Sequence, residues 1–288
     1  MIPAAFDYAA PGTLREAVAM LRGRAGDARL LAGGQSLIPM MRLRLVNPAL
    51  VVDLSRVRDM AYVREYDGGL AIGSMTTYRA LETSPLVRDH FPLLADMASQ
   101  VADLQVRNRG TIGGAIAHAD PSADLPAFMV AADAVIRVSG GARSRGIAAA
   151  RFFVDAFTTA LRETEIITEV RLPPLPPHTG ESYQKLANRA SHFAIVGVAA
   201  LVTLNAAGVC SRVCTGITGA GPAASRARGT ERYLVGRVPT TANVEAAAAR
   251  AGSGIDFADD LHGSAAYREH LTQRLTLRAL TTAAERAS

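Results

Sequence analysis

Two glycine pairs in matching settings carry the chemistry this chain offers. The first is Leu30-Leu31-Ala32-Gly33-Gly34-Gln35-Ser36-Leu37, and the second is Thr111-Ile112-Gly113-Gly114-Ala115, entered through Asn108-Arg109-Gly110. Paired glycines let successive backbone N–H groups converge on one concave point, with no Cβ to hold a ligand off. Such a nest suits a phosphate, and two of them suit a pyrophosphate held from both sides. The neighbouring Ser36 and Thr111 add hydroxyl donors for the same oxygens. Either pair alone also fits an ordinary tight turn. Together they point to a dinucleotide.

The elements around these loops follow from pattern and punctuation. Thr13-Leu14-Arg15-Glu16 reads as a capping box, with Leu14, Val18 and Leu21 on one helix face before Gly23 and Gly26. A short strand at Leu30-Leu31-Ala32 leads into the first glycine pair. A brief helix over 37–45 follows, then a buried strand at 50–54, a small βαβ-like unit. Strands are expected at 70–73, 134–138 and 166–172, and helices at 92–99 and 126–132. Pro173-Pro174-Leu175-Pro176-Pro177-His178 is too proline-rich for a helix or central strand and marks a domain boundary. Beyond it, strands are expected at 183–186 and 194–204. An Ala-rich helix over 242–251 follows, and a last helix from Ser264 carries Tyr267, Leu271 and Leu275 on one face.

The 288 residues suit roughly two domains at about 150 residues each. A hydrophobic content of 49% with 20% charged residues is that of a globular protein with a proper core. No apolar run approaches the roughly 20 residues of a membrane span. Met1–Asp7 has neither a basic leader nor an apolar segment of signal-peptide type. Cys210 and Cys214 are too few for a disulfide framework or an iron–sulfur cluster, which predicts a reducing, cytoplasmic setting. The net charge of +5 comes from arginines scattered along the chain, and with no Trp and 5% aromatics there is no nucleic-acid platform. Of 31 basic residues only Lys185 is a lysine. A compact ammonium differs from a planar guanidinium, so Lys185 either fills a place arginine cannot or survives by chance.

Other patterns are weaker. Gly219-Ala220-Gly221-Pro222-Ala223-Ala224 fits a dinucleotide fingerprint, with Glu245 downstream, but Pro222 sits in the turn and no βαβ unit surrounds it. Gly34-Gln35-Ser36 lacks the second glycine of a hydrolase elbow. His118, Asp120 and Asp124 match no zinc spacing.

Ala32–Ser36, Gln105–Gly114 and His118–Pro126, taken together, resemble the FAD-binding medium subunit of molybdenum hydroxylases. That group includes the carbon monoxide dehydrogenase flavoprotein and the FAD domain of xanthine dehydrogenase. The resemblance runs the length of the chain, through Phe152-Phe153, Ile166–Pro173 and Ser264–Arg268. It implies an α+β fold: a two-lobed FAD-binding domain of PCMH type over 1–175 (lobes about 1–55 and 56–175), then a smaller domain over 178–288 with a three-stranded antiparallel sheet and helices.

Carried over by motif, Leu30, Leu31, Ala32, Gly33, Gly34, Gln35, Ser36 and Leu37 would hold the FAD pyrophosphate with Thr111, Ile112, Gly113, Gly114 and Ala115. Asp124 matches a carboxylate beside the ribityl–isoalloxazine region, and Leu161 an apolar side chain packed on the flavin. Val101 joins the contact set. Lys185 matches a lysine near the flavin, where a fixed positive charge would raise its potential. Phe193 stands where related subunits present Tyr, and Gln35 where some have His, which leaves backbone contacts there. His118 and Asp120 read as loop structure. The resemblance assigns this chain no catalytic residue and no metal. It implies electron transfer: clusters in an iron–sulfur small subunit would pass electrons from a molybdenum large subunit to FAD here and on to an external acceptor, in a dimer of heterotrimers. A self-contained flavin oxidoreductase would need its own acid/base pair beside the flavin. A phosphate-ligand or nucleic-acid binder would account for the charge but not for Asp124 and Lys185.

Overall fold

Thr13 caps the first helix as the sequence predicts. Its Oγ1 accepts from Glu16 N at 3.2 Å, and Glu16 Oε2 accepts from Gly12 N at 2.9 Å and Thr13 N at 3.3 Å. The computed structural model describes residues 2–24, 26–141 and 143–288. Met1 lies outside them, so the expectation drawn from the N-terminus rests on sequence alone. The opening lobe comprises β1 (Asp7–Ala9), α1 (Leu14–Gly23), β2 (Ala28–Leu31), α2 (Leu37–Arg42) and β3 (Leu50–Asp53). Its strands are parallel in the order β1-β3-β2, and α1 buries Ala17, Val18 and Leu21 against Val52. Replacing Thr13 by Ala should cost about 1 kcal/mol, read as a fall in Tm of about 2–4 °C. An unchanged Tm would mean that water replaces the cap.

The second lobe runs through β4 (Val63–Tyr66), β5 (Gly69–Gly73), α3 (Tyr78–Thr83), α4 (Pro85–His90), α5 (Pro92–Ser99), α6 (Leu104–Arg107), α7 (Ile112–His118) and α8 (Asp124–Ala131). It continues with β6 (Val135–Ser139), β7 (Ser144–Ala148), α9 (Ala149–Phe152), β8 (Phe153–Asp155), β9 (Thr158–Thr159) and β10 (Ile166–Leu172). The antiparallel sheet β4-β5-β10-β6-β7 backs these helices. Every residue of α8 is buried, which requires cover on all sides.

Part of that cover comes from the last third of the chain: β11 (Thr179–Ala187), β12 (Ala194–Leu204), β13 (Cys210–Thr218), β14 (Ser225–Arg226), α10 (Arg228–Leu234), α11 (Thr241–Ala248) and α12 (Ala265–Ala287). Three long antiparallel strands, edged by the two-residue β14, form one sheet buried on both faces. The alternation of side chains sorts β12. Val196, Val198, Ala200 and Val202 join the core under α12, while Ala199 and Leu201 join the core of the second lobe. A strand buried on both sides reads as an unbroken apolar run, which is the look of Ala194–Leu204. Glycines bring the helices onto this sheet. A Cβ on Gly216 would overlap the Ala127 carbonyl of α8, and one on Gly180 the Ala283 carbonyl of α12.

Of the expected stripe on α12, Leu275 is buried and Leu271 packs on the same core, while Tyr267 is 45% exposed. The buried row also includes Arg268, Thr272, Thr276, Ala279, Leu280, Ala283, Ala284 and Ala287. Arg268 is buried because its guanidinium is fully engaged: both Asp260 oxygens accept at 2.8 Å, as do the carbonyls of Ile195 at 2.5 Å and Gly219 at 2.6 Å.

Candidate functional site

The first glycine loop leaves the carboxyl end of β2, where ligands gather on parallel sheets. Gly34 takes a left-handed φ of 77°, and the chain turns through it into α2. Among the described residues, the backbone N–H groups of Gly33, Gly34, Gln35, Ser36 and Leu37 donate to no protein acceptor. Ser36 makes no side-chain capping bond at the start of α2, so its hydroxyl is available too. Gln35 folds back, its Nε2 donating to Gly33 O at 3.1 Å, which leaves only its backbone for a ligand. A run of unbonded donors around a left-handed glycine fits an anion such as a pyrophosphate.

The second loop is different. Thr111 Oγ1 accepts from Gly114 N at 3.1 Å and caps α7. Ile112 N donates to Thr76 O at 2.9 Å, Gly113 N to Ser74 O at 2.8 Å and Ala115 N to Thr111 O at 3.0 Å. These donors are already engaged, so the expectation of two open nests holds for the first loop only. The glycines have another purpose as well. A Cβ on Gly33 would overlap the Arg109 carbonyl, and one on Gly113 would overlap Ser74. The missing side chains let the loops abut each other and the 74–78 segment. A Cβ on Gly114 would come within 2.9 Å of Thr111 Oγ1 and 3.6 Å of the Ala32 Cβ, in the seam between the two loops.

Asp124 and Lys185, 61 residues apart, meet in a buried ion pair. Lys185 Nζ donates to Asp124 Oδ2 at 3.0 Å and Oδ1 at 3.2 Å, and reaches the carbonyls of His192 at 3.0 Å and Gln100 at 3.3 Å. Tyr183 donates its hydroxyl to Asp124 Oδ1 at 2.5 Å. Burial pushes the Asp124 carboxyl above its ordinary value, and the Lys185 ammonium and Tyr183 hydroxyl pull it part of the way back. The Tyr183 phenol is pushed well up, first by burial and then by Asp124. Lys185 is therefore not a lone charge: its ammonium is paired with the Asp124 carboxylate. Tyr78 ties this centre to the glycine loops. Its ring lies against Gly110, where a Cβ would come within 2.8 Å of Cε2, and its phenol is raised by burial and by Asp124.

Strand β11 also meets both ends of α5. Glu181 Oε2 accepts from Leu93 N at 3.3 Å at the helix start, and Lys185 holds Gln100 O just past its end. Positive charge at a helix C-terminus complements the helix dipole.

Among the other expected residues, Val101 is half-buried beside Gln100 and packs with Leu161 on the core of the second lobe. Phe193 is 43% exposed in the β11–β12 turn, next to the carbonyl that Lys185 holds. Asp120 serves its own loop, accepting from Ser122 N at 2.9 Å, and the His118 ring stacks 5.1 Å from Phe157. No three His, Cys, Asp or Glu side chains among the described residues are placed to hold a metal. The Gly219–Ala224 stretch is a loop, and its Gly221–Ala224 part lines a cavity of about 360 Å³ with Phe153 and Arg228. Sequence reasoning missed Tyr183, Tyr78 and the Gln100 and His192 carbonyls. The signal for Tyr183 was present: two residues from Lys185 on a strand, it shares the lysine's face.

Residues 4–175 match the family described as FAD binding domain in molybdopterin dehydrogenase, and residues 181–283 match the CO dehydrogenase flavoprotein C-terminal domain. The chain is 39% identical over 283 residues to the carbon monoxide dehydrogenase medium chain of Hydrogenophaga pseudoflava, covering 98% of each. It is 36% identical over 287 residues to the 6-hydroxypseudooxynicotine dehydrogenase complex subunit alpha of Paenarthrobacter nicotinovorans, covering 100% of this chain and 97% of that one. In the solved carbon monoxide dehydrogenase of Hydrogenophaga pseudoflava, the similar chain superposes with a TM-score of 0.97 at 39% identity, with full coverage of both. Quinoline 2-oxidoreductase from Pseudomonas putida 86 gives 0.93 at 33% identity, covering 100% and 99%.

Proposed function

Since the chain belongs to the FAD-binding medium subunits of molybdenum hydroxylases, we propose that it relays electrons from iron–sulfur clusters of a small partner subunit to an external acceptor. Substrate would be oxidised in a large molybdenum partner. The observation that supports this most directly is the run of unbonded N–H groups at 33–37, linked through Gly110 and Tyr78 to the Asp124–Lys185 pair. FAD bound there would supply a centre that accepts electrons from one carrier and releases them to another.

The chain's own residues bind and orient. Gly33–Leu37 N–H groups and the Ser36 hydroxyl would hold the pyrophosphate, beside the seam of Ala32, Thr111 and Gly114. Asp124 and Lys185, fixed by the ammonium's contacts with the carboxylate and two carbonyls, would position the flavin end. Val101, Leu161 and Phe193 would shield it from water. The two cysteines are buried in β13, so clusters must come from partners. We further propose a division into 1–175 and 178–288, a dimer of heterotrimers, and a cytoplasmic location. No helix among the described residues is long and apolar enough to cross a membrane.

The isolated chain is expected to purify yellow, with one FAD per chain, and to stay oxidised when organic substrates are added anaerobically. Co-expressed with its partners, it should be reduced by substrate. Reduction of the lone chain would favour a self-contained flavin oxidoreductase instead. The site itself is tested by Gly114→Leu. Leu gains about 1 kcal/mol of helix propensity over Gly, which offsets about 1 kcal/mol for a disturbed Thr111 cap. A folded variant with FAD affinity reduced at least about tenfold, or 1.4 kcal/mol, is expected. Unchanged affinity would place the cofactor elsewhere.

A further inference from the structure

The Tyr183 side chain is 8% exposed, and its hydroxyl ends on Asp124 Oδ1. Room for it exists because residue 197 is glycine: a Cβ there would collide with the Tyr183 hydroxyl and come within 3.0 Å of Thr218 Cγ2. Gly197 is the β12 residue directly opposite Lys185 in the ladder. The phenol therefore leans along β11, over a gap left open for it, to the carboxylate that Lys185 grips. The arrangement needs two unrelated choices, a tyrosine on one strand and a glycine on the next. The hydroxyl itself is not needed for packing, since Phe would fill the same space on β11.

The groups facing Asp124 are Lys185 and Tyr183 from β11 and Tyr78 from α3. Of these, Lys185 and Tyr183 hydrogen-bond to it. A buried carboxylate that loses a donor favours its protonated form. Once protonated, Asp124 would offer the ammonium a neutral carbonyl in place of its counter-charge.

We propose that Tyr183 is a positioning residue: its hydroxyl keeps Asp124 ionised and clasped to Lys185 while the charge on the neighbouring flavin changes. The inference rests on the FAD reading above. In its terms, two electrons delivered by a chemical reductant are balanced in the native protein by protons taken from solvent onto the flavin alone. Without the hydroxyl, one further solvent proton is bound by Asp124.

The test uses the FAD-loaded chain with Tyr183→Phe and, separately, Gly197→Ala, which keeps the phenol but displaces its hydroxyl. Midpoint potentials are measured against pH with mediator dyes. One extra proton per two electrons changes the equilibrium tenfold per pH unit, so each variant's slope should exceed the native slope by about 30 mV per pH unit. A second measurement needs no cofactor: infrared spectra of the apoprotein at about pH 8, where an ordinary Asp is ionised. In a Glu181→Gln background, lowering the pH from there should bring up the protonated-carboxyl band that Asp124→Asn removes, and at a higher pH in Tyr183→Phe than with Tyr183 present. Parallel potential lines and a band that rises at the same pH in both proteins would overturn the proposal. Failure of the native chain to bind FAD would instead overturn the functional reading and leave the infrared result interpretable.

Discussion

Replacing Lys185 by methionine should cost about 3–5 kcal/mol of stability, the range for breaking a buried pair from one side. Methionine fills much of the space of the lysine stem, so a cavity is not the cause. The loss comes from Asp124, 6% exposed and left without its counter-charge. The simple electrostatic expectation from sequence, a lower flavin potential with binding preserved, gives way to this larger effect because the charge is shared with a carboxylate. Lys185→Met combined with Asp124→Asn should recover a large part of the loss, since neither buried charge then remains. Urea unfolding of both single variants and the double variant gives the coupling directly. If Lys185→Met alone costs less than about 1 kcal/mol, the range of an exposed pair, the pair is open to solvent in solution.

Glu181→Gln should stabilise the protein, and only above acid pH. The Glu181 side chain is 5% exposed, with Oε2 on the Leu93 N–H and Oε1 without a partner among the described residues. Burial, helped by Asp96, pushes its carboxyl from 4.5 up to about 7, against the pull of the Leu93 N–H and Arg286. Below pH 4.5 both the folded and unfolded chains hold the proton, and the group costs nothing. Between 4.5 and about 7 the unfolded chain releases it while the native chain keeps it, so stability falls as pH rises. Above that window the cost is constant, with a ceiling of roughly 3 kcal/mol at about 1.36 kcal/mol per pH unit. Glutamine does not titrate and still accepts from Leu93. Its advantage over the native chain should therefore be absent near pH 4, grow through the window, and level off above it. A pH-independent difference between the two proteins would show that Glu181 is ionised in the fold.

Local signals were read correctly where the deciding contacts are local. The capping box at Thr13, the strand at Ile166–Leu172 and the helix at Pro92–Ser99 depend on neighbours in sequence, and each forms as expected. β13 has no such signal: Ser211, Arg212 and Thr215 break its alternation, and its order comes from pairing with β12. β1 is three residues long and exists because β3 lies beside it. The apolar spacing on α12 found Leu271 and Leu275, but not the small and hydroxylated residues that dock beside them, which Gly180 lets come close. At the site, motif and family resemblance picked out Asp124 and Lys185. The engaged donors of Gly113 and Ile112 were not legible, because Ser74 and Thr76 reach them from nearly forty residues away.

One consequence concerns length rather than chemistry. Helix α5, eight residues at 1.5 Å each, spans about 12 Å. The four steps of strand from Glu181 to Lys185 span about 13 Å. The helix thus works as a gauge block between two stops on β11. Its solvent-side residues are free to vary, since neither stop reads them. A single inserted or deleted residue is another matter. It would shift the far end by about 1.5 Å and swing it by about 100° around the axis, carrying the Gln100 carbonyl off the ammonium and letting the lysine drift from its depth in the fold. Tolerance to substitution and intolerance to changes in length should therefore coexist within the same nine residues, 92–100.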